Sequence, residues 1–378
     1  MHLRNKLATG IAGALILMLL VLAGPQGVIR AQTGAAQPQG TPAAPRAEQK
    51  GTPPTQIPED VDVNDPALPI WLRPSAPVVP GDKTPKPEPG AATVTKDREG
   101  FRIRKEVDEV TLHATVLDSR QHTVTTLRPA DFQVFEDDKP QAITLFSHED
   151  IPVSLGILVD NSGSMREKRA AVTKAVINLV KASNPQDEVF IVNFADEPWL
   201  DQDYTNDVGL LREALDRVDS RGSTALYDAV IGSATHLARG ARREKKVLLA
   251  VTDGEDNASN KSLEEAIRAV QDDNGPVVYT IGILGKEGRE RRAKRALLEL
   301  STQTGGMAYF PKNLTEVDEV SQAVAHDIRN QYTIAYKPSN PQSNGGYRRI
   351  KVVARSSGYH DLQVRTRSGY FAGQQSGK

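Results

Sequence analysis

Gly156-Ile157-Leu158-Val159-Asp160-Asn161-Ser162-Gly163-Ser164-Met165 is the stretch that decides how this chain folds. The apolar run from Leu155 to Val159 shows no polar alternation, so it reads as a parallel strand buried on both faces. It ends on Asp160, and Gly163 suits a tight turn between Ser162 and Ser164. Val172, Ala175, Val176, Leu179 and Val180 then recur at helical spacing, so an amphipathic helix follows. One carboxylate and two hydroxyls are therefore expected where a strand ends and a helix begins, which is where open α/β sheets bind ligands. Asp-x-Ser-x-Ser offers oxygens to a hard cation such as Mg²⁺, which takes an octahedron of them at about 2.0–2.1 Å. Two of the three groups are neutral, so most of the ion's charge stays available to an acidic group from outside. The same residues also suit a turn in which Ser and Asp cap the helix. This spacing alone leaves both readings open.

Two downstream segments add to it. Arg221-Gly222-Ser223-Thr224-Ala225-Leu226-Tyr227-Asp228 reads as a loop opening a helix and carries a further hydroxyl, Thr224. Val247 to Thr252 reads as a second buried strand that ends on Asp253-Gly254. Ends of strands and loops on one rim of a parallel sheet can converge on one ion. With these three segments the chain resembles the von Willebrand factor A family over roughly residues 150–330. The resemblance implies a metal-ion-dependent adhesion site with Asp160, Ser162 and Ser164 as its first segment, Thr224 as its second and Asp253 as its third. It also implies Mg²⁺, with Mn²⁺ or Ca²⁺ as alternatives, bridging to an Asp or Glu carboxylate of a partner protein. Glu255, Asp256 and Asn257 are expected at the rim, and Asp228 is expected to anchor its own helix rather than touch the ion.

Composition excludes other classes. The 378 residues carry a net charge of −1, no Cys and seven scattered His. Disulfides, thiolate metal sites and Cys nucleophiles are thereby ruled out, and no His pair has zinc-ligand spacing. The basic run from Lys286 to Arg295 alternates with Glu287 and Glu290 and has no interleaved aromatics, so it reads as a solvated helix face and not a nucleic-acid patch.

The organisation follows from shifts in composition. Residues 1–31, with Arg4 and Lys6 before an apolar run, are expected to be a signal peptide or an uncleaved N-terminal anchor. Residues 32–98 are rich in Pro and poor in large apolar groups, so they are expected to be a disordered linker. Residues 99–149 and 331–373 alternate like strands, and each is too short to be stable alone, so the two β flanks are expected to pair into one sandwich-like domain. Residues 150–330 alternate strand and helix, which predicts a doubly wound, mostly parallel sheet. The whole run from about 100 to 372 is similar to bacterial von Willebrand A-related proteins with such flanks, a subgroup frequent in Acidobacteria.

The expected function is an exported, metal-dependent protein-binding module, placed in the periplasm, at the cell surface or outside the cell. A passive envelope scaffold with a structural metal is the first alternative. A metal-dependent hydrolase is the second and is disfavoured, because no His, Cys or Lys lies in the motif segments to act as base or nucleophile. Catalytic residues and organic cofactors are not expected, nor is nucleic acid as a partner.

Overall fold

The computed structural model describes residues 93–97, 100–104, 109–217, 219–284 and 290–373. The expected export segment and nearly all of the expected linker lie outside the described residues. At the end of that linker stretch, β1 (Thr93–Asp97) and β2 (Gly100–Arg104) form a short antiparallel hairpin. The N-terminal flank continues with β3 (Val110–Leu117), β4 (Phe132–Glu136), β5 (Lys139–Gln141) and β6 (Ile143–Ser147). The central region runs β7 (Val153–Asp160), α1 (Arg169–Ala182), β8 (Glu188–Phe194), β9 (Pro198–Thr205), α2 (Val208–Asp216), α3 (Leu226–Gly240) and β10 (Lys245–Thr252). It ends with α4 (Leu263–Val270), β11 (Val277–Gly282), α5 (Glu290–Thr304), β12 (Ala308–Tyr309) and α6 (Glu316–Arg329). The C-terminal flank is β13 (Tyr332–Tyr336), β14 (Gly346–Ala354), β15 (Gln363–Arg365) and β16 (Gly369–Ala372).

The fold is mixed α/β. Its centre is a six-stranded sheet in the order β12-β11-β10-β7-β8-β9, parallel except for the antiparallel edge strand β9. Every residue of β7, β8 and β11 is buried, as expected of strands covered on both faces. Leu155, Ile157 and Val159 point into a core shared with Val172, Val176 and Leu179 of α1 and with Val324 and Ile328 of α6. Leu158, Phe190 and Leu248 point to the other face, against Val230 and Leu237 of α3 and Leu297 of α5. Gly156 makes that second layer fit: a Cβ there would lie 2.3 Å from the Phe190 ring.

The flanks supply two antiparallel sheets, β15-β3-β13-β6 and β16-β14-β4-β5, each drawing strands from both ends of the central region. They enclose a third core of Leu112, Val116, Phe132, Tyr332, Ile334 and Tyr370. These sheets hold eight strands. Positive φ at Asp137 and Asp138 completes a reversal just before Lys139-Pro140. The chain then resumes as edge strand β5, a position that tolerates Pro.

Polar contacts tie the flanks to the central region. The Asp327 carboxylate accepts from Tyr279 Oη (2.6 Å), Thr115 Oγ1 (3.1 Å) and the Arg365 guanidinium. Gln331 Nε2 donates to both Tyr279 Oη and Thr115 Oγ1. Among the described residues no helix is long and apolar enough to cross a membrane.

Candidate metal centre

The carboxyl ends of β7 and β10 lie side by side, because Lys245 to Val251 pair in register with Val153 to Val159. Asp160 is the last residue of β7 and is fully buried. Its Oδ1 accepts the Ser162 N–H (2.8 Å), and its Oδ2 accepts the Thr252 hydroxyl (2.6 Å) from the neighbouring strand. Burial pushes its carboxyl above the usual range, hydrogen bonds from Thr252 and Ser162 pull it back, and the Asp253 charge raises it again. This carboxylate was expected to belong to the rim. The structure makes it part of the packing, because its oxygens organise the turn it precedes.

After Asp160 the chain turns through a short 3₁₀ segment, Gly163–Met165, with Met165 plugged into the core. Ser162 Oγ and Ser164 Oγ lie 3.2 Å apart, and Ser164 Oγ donates to Asp253 Oδ1 at 2.8 Å. The Asp253 side chain is almost wholly buried, with its other oxygen in contact with the Lys168 ammonium. Thr224 is buried on the adjacent loop, and its hydroxyl would be 3.6 Å from a Cβ added at Gly254. All five oxygen-bearing residues read from the sequence therefore stand on one rim. Ser162, Ser164 and Asp253 form a chain of contacts, Asp160 joins it through the backbone of Ser162, and Thr224 lies beside it on the second segment.

The second segment is held by residues that carry no part of the motif. Gly222 has φ +80°, and a Cβ there would fall 2.5 Å from the Asp196 carboxylate. Gly163 lies in the turn, but glycine is not required there, since its backbone is not left-handed and a Cβ would meet only the Gly222 carbonyl at 3.9 Å. The turn that demands glycine is the facing one. Gly163 N–H donates to that Gly222 carbonyl (3.2 Å), and Asp196 Oδ1 accepts from Ser223 N–H (2.8 Å), which locks the two loops together.

The acidic stretch after Asp253 braces the site. Asn257 Oδ1 accepts the Thr224 N–H and Asp256 Oδ2 the Tyr227 N–H, both at 2.8 Å. Asp228 accepts from the backbone of Asn260 and Lys261, so it anchors its helix to the following loop. Asp196, Thr252 and Lys168 were not singled out from sequence. Thr252 alone carried a signal, as the last residue of the strand that leads into Asp253.

The donor set fits a hard divalent cation: oxygen ligands only, two of them buried carboxylates whose negative charges reinforce one another. The family model of the von Willebrand factor type A domain matches residues 155–255, which spans all three segments. No curated protein matches the chain. Among solved structures, the chain is similar to an aerotolerance-related membrane protein from Bacteroides fragilis (17% identity, 47% of this chain and 98% of that one, TM-score 0.39). It is also similar to a von Willebrand factor type A protein from Catenulispora acidiphila (13% identity, 71% and 75% coverage, TM-score 0.42). A third is proximal thread matrix protein 1 of the mussel byssus, with a zinc-occupied adhesion motif (18% identity, 51% and 50% coverage, TM-score 0.41). Residues 155–255, which carry the three-segment motif, thus match the von Willebrand factor type A domain.

Proposed function

We propose that this protein is an exported binding module that takes a carboxylate of a partner protein through a divalent cation. Asp160, Ser162, Ser164, Thr224 and Asp253 are the residues that would hold the ion, with Mg²⁺ as the physiological metal. The observation that carries the proposal is the meeting of two buried carboxylates and three hydroxyls from three separate segments. When bound, the ion supplies an electrophilic position that an external Asp or Glu can fill.

The chain's own residues keep that position directional. Thr252 and the Ser162 N–H fix both oxygens of Asp160. Ser164 orients one oxygen of Asp253, while Lys168 holds the other. The residues at the rim support binding over hydrolysis. Lys168, whose ammonium reaches the site, is ion-paired with Asp253, and among the described residues the neighbouring groups are hydroxyls and backbone N–H groups. Export is read from residues 1–31.

Calorimetric titration of Mg²⁺ and of Mn²⁺ into the wild type and into Asp253→Asn tests this reading. The wild type should bind one ion, and the variant should lose at least tenfold in affinity, about 1.4 kcal/mol. Equal affinity in both proteins would place the ion elsewhere.

A further inference from the structure

A cavity of about 860 Å³ opens between α1 and α2, beside the metal loops. Arg166, Arg169, Lys174, Arg212 and Arg221 line it, against two carboxylates, Asp216 and Asp219. Ile177 gives it an apolar floor. Two of the arginines are already fixed. Arg166 Nη2 donates to the Ser220 carbonyl (3.2 Å), and the Arg169 guanidinium donates to the Leu215 carbonyl near the end of α2. Fixing a guanidinium by one nitrogen leaves the rest of its fork available in a set orientation.

Two polar atoms in this wall are buried without any hydrogen-bond partner: Arg169 Nη1 and Ser220 Oγ. Ser220 is only 5% exposed, so its hydroxyl cannot simply turn to bulk water. Leaving such groups unsatisfied is costly, on the order of 1–3 kcal/mol each.

The cavity is joined to the metal centre through one loop. Arg221 N–H donates to the Asn161 carbonyl (2.8 Å), and the next residue, Gly222, accepts from Gly163 between the two motif serines. Ser220 in the cavity wall and Thr224 at the metal rim are four residues apart, a span of at most ~14 Å. A short extended peptide can therefore reach both. We propose that the α1–α2 cavity receives an acidic segment of the same protein partner whose carboxylate is taken at the metal centre. The proposal rests on the metal-dependent reading and adds the partner's chemistry: a local run of Asp and Glu, one member on the ion and another against Arg166, Arg169, Arg212 and Arg221.

Fluorescence anisotropy of labelled hexaglutamate with the full-length protein, in Mg²⁺ or in EDTA, tests it. Arg212 and Arg221 are exposed at the cavity mouth, so they can be changed without touching the core. Arg212→Glu/Arg221→Glu should weaken hexaglutamate binding in Mg²⁺ by about tenfold or more, and Arg212→Lys/Arg221→Lys should stay within about threefold of wild type. Undiminished affinity in the Glu variant overturns the proposal, and so does an equal loss in the Lys variant. Full displacement by inorganic phosphate at the peptide's own concentration also overturns it, in favour of a small-anion site. The two readings fail separately. Loss in the Glu variant with no effect of EDTA removes the metal-dependent reading and keeps the acidic-peptide cavity. Loss in EDTA alone keeps the metal and removes the cavity.

Discussion

Lys245 is the buried charge whose cost can be worked from the structure. It opens β10, is 3% exposed, and its Nζ donates to the Ile328 carbonyl at the end of α6. A cation there meets the negative end of a helix. Burial nevertheless dominates and brings its pKa down from 10.5 to about 8, against the opposing pull of Asp327, Asp150 and Asp187. The sign follows from proton uptake. Between the folded pKa near 8 and the unfolded value of 10.5 the unfolded chain binds more protons, so this group adds stability as pH rises through that window and costs most below it. From about pH 7 to about pH 9.5 the gain is roughly 2 kcal/mol, at 1.36 kcal/mol per unit of pKa difference.

The measurement is urea denaturation of the wild type and Lys245→Met at several pH values, followed by circular dichroism. Lys245→Met loses the bond to Ile328 and leaves the nearby carboxylates less compensated, so its absolute stability at neutral pH has no simple sign. The difference between the two proteins does: it should move by roughly 2 kcal/mol in favour of the wild type on going from about pH 7 to about pH 9.5. His113 is also held low by burial and by Lys245, so it titrates below this window. The buried tyrosines, Tyr279 among them, have raised pKa values and lower stability only as the unfolded phenols ionise near 10. A difference that stays flat across the window would refute the argument, because Lys245 would then be as well solvated folded as unfolded.

Gly222→Ala should destabilise by about 1–2 kcal/mol from the left-handed backbone alone, more if Asp196 cannot move aside, and chemical denaturation reads it. Asp160→Ala should abolish Mg²⁺ binding in calorimetry and also lower stability by about 1–3 kcal/mol, since the Ser162 N–H and Thr252 hydroxyl lose their acceptor; an unchanged denaturation midpoint would mean that the lost repulsion with Asp253 compensates fully. Deleting residues 331–378 removes β13 from between β3 and β6 and β14 from beside β4, so limited proteolysis should cut 101–147 early. The central region should resist longer but loosen at α6, which loses Arg365 from Asp327.

The central sheet was legible because burial leaves a one-dimensional trace. Strands covered on both faces must be apolar throughout, so β7, β8, β10 and β11 stand out as runs, and the helices between them keep their 3.6-residue period. The flanks were legible as strands but not as sheets. β3 pairs with β13 and β15 across more than two hundred residues of sequence, and no local pattern records which of those strands are neighbours. β16 escaped notice for a simpler reason: four residues are too few to show alternation.

The site divides along the same line. Its candidate oxygen ligands were readable as a set, since each sits at a strand end or loop with a motif around it. The residues that aim those donors were not, because their work is done through backbone atoms of other segments. Asp196 supports Thr224's loop by accepting from Ser223, and Asn257 supports it from the opposite side through Thr224's own N–H. Both bonds act on the main chain, so neither demands a particular side chain at the position it fixes, and no spacing rule arises. Gly222 is the exception that a sequence does display, yet glycine alone cannot say which of two facing turns is left-handed. Here the bulk of Asp196 decides it: the carboxylate fills the space a Cβ would need, and only Gly222 lets the two loops approach. The geometry of the candidate metal centre is therefore set as much by Asp196 and Gly222 as by the five oxygen-bearing residues of the motif.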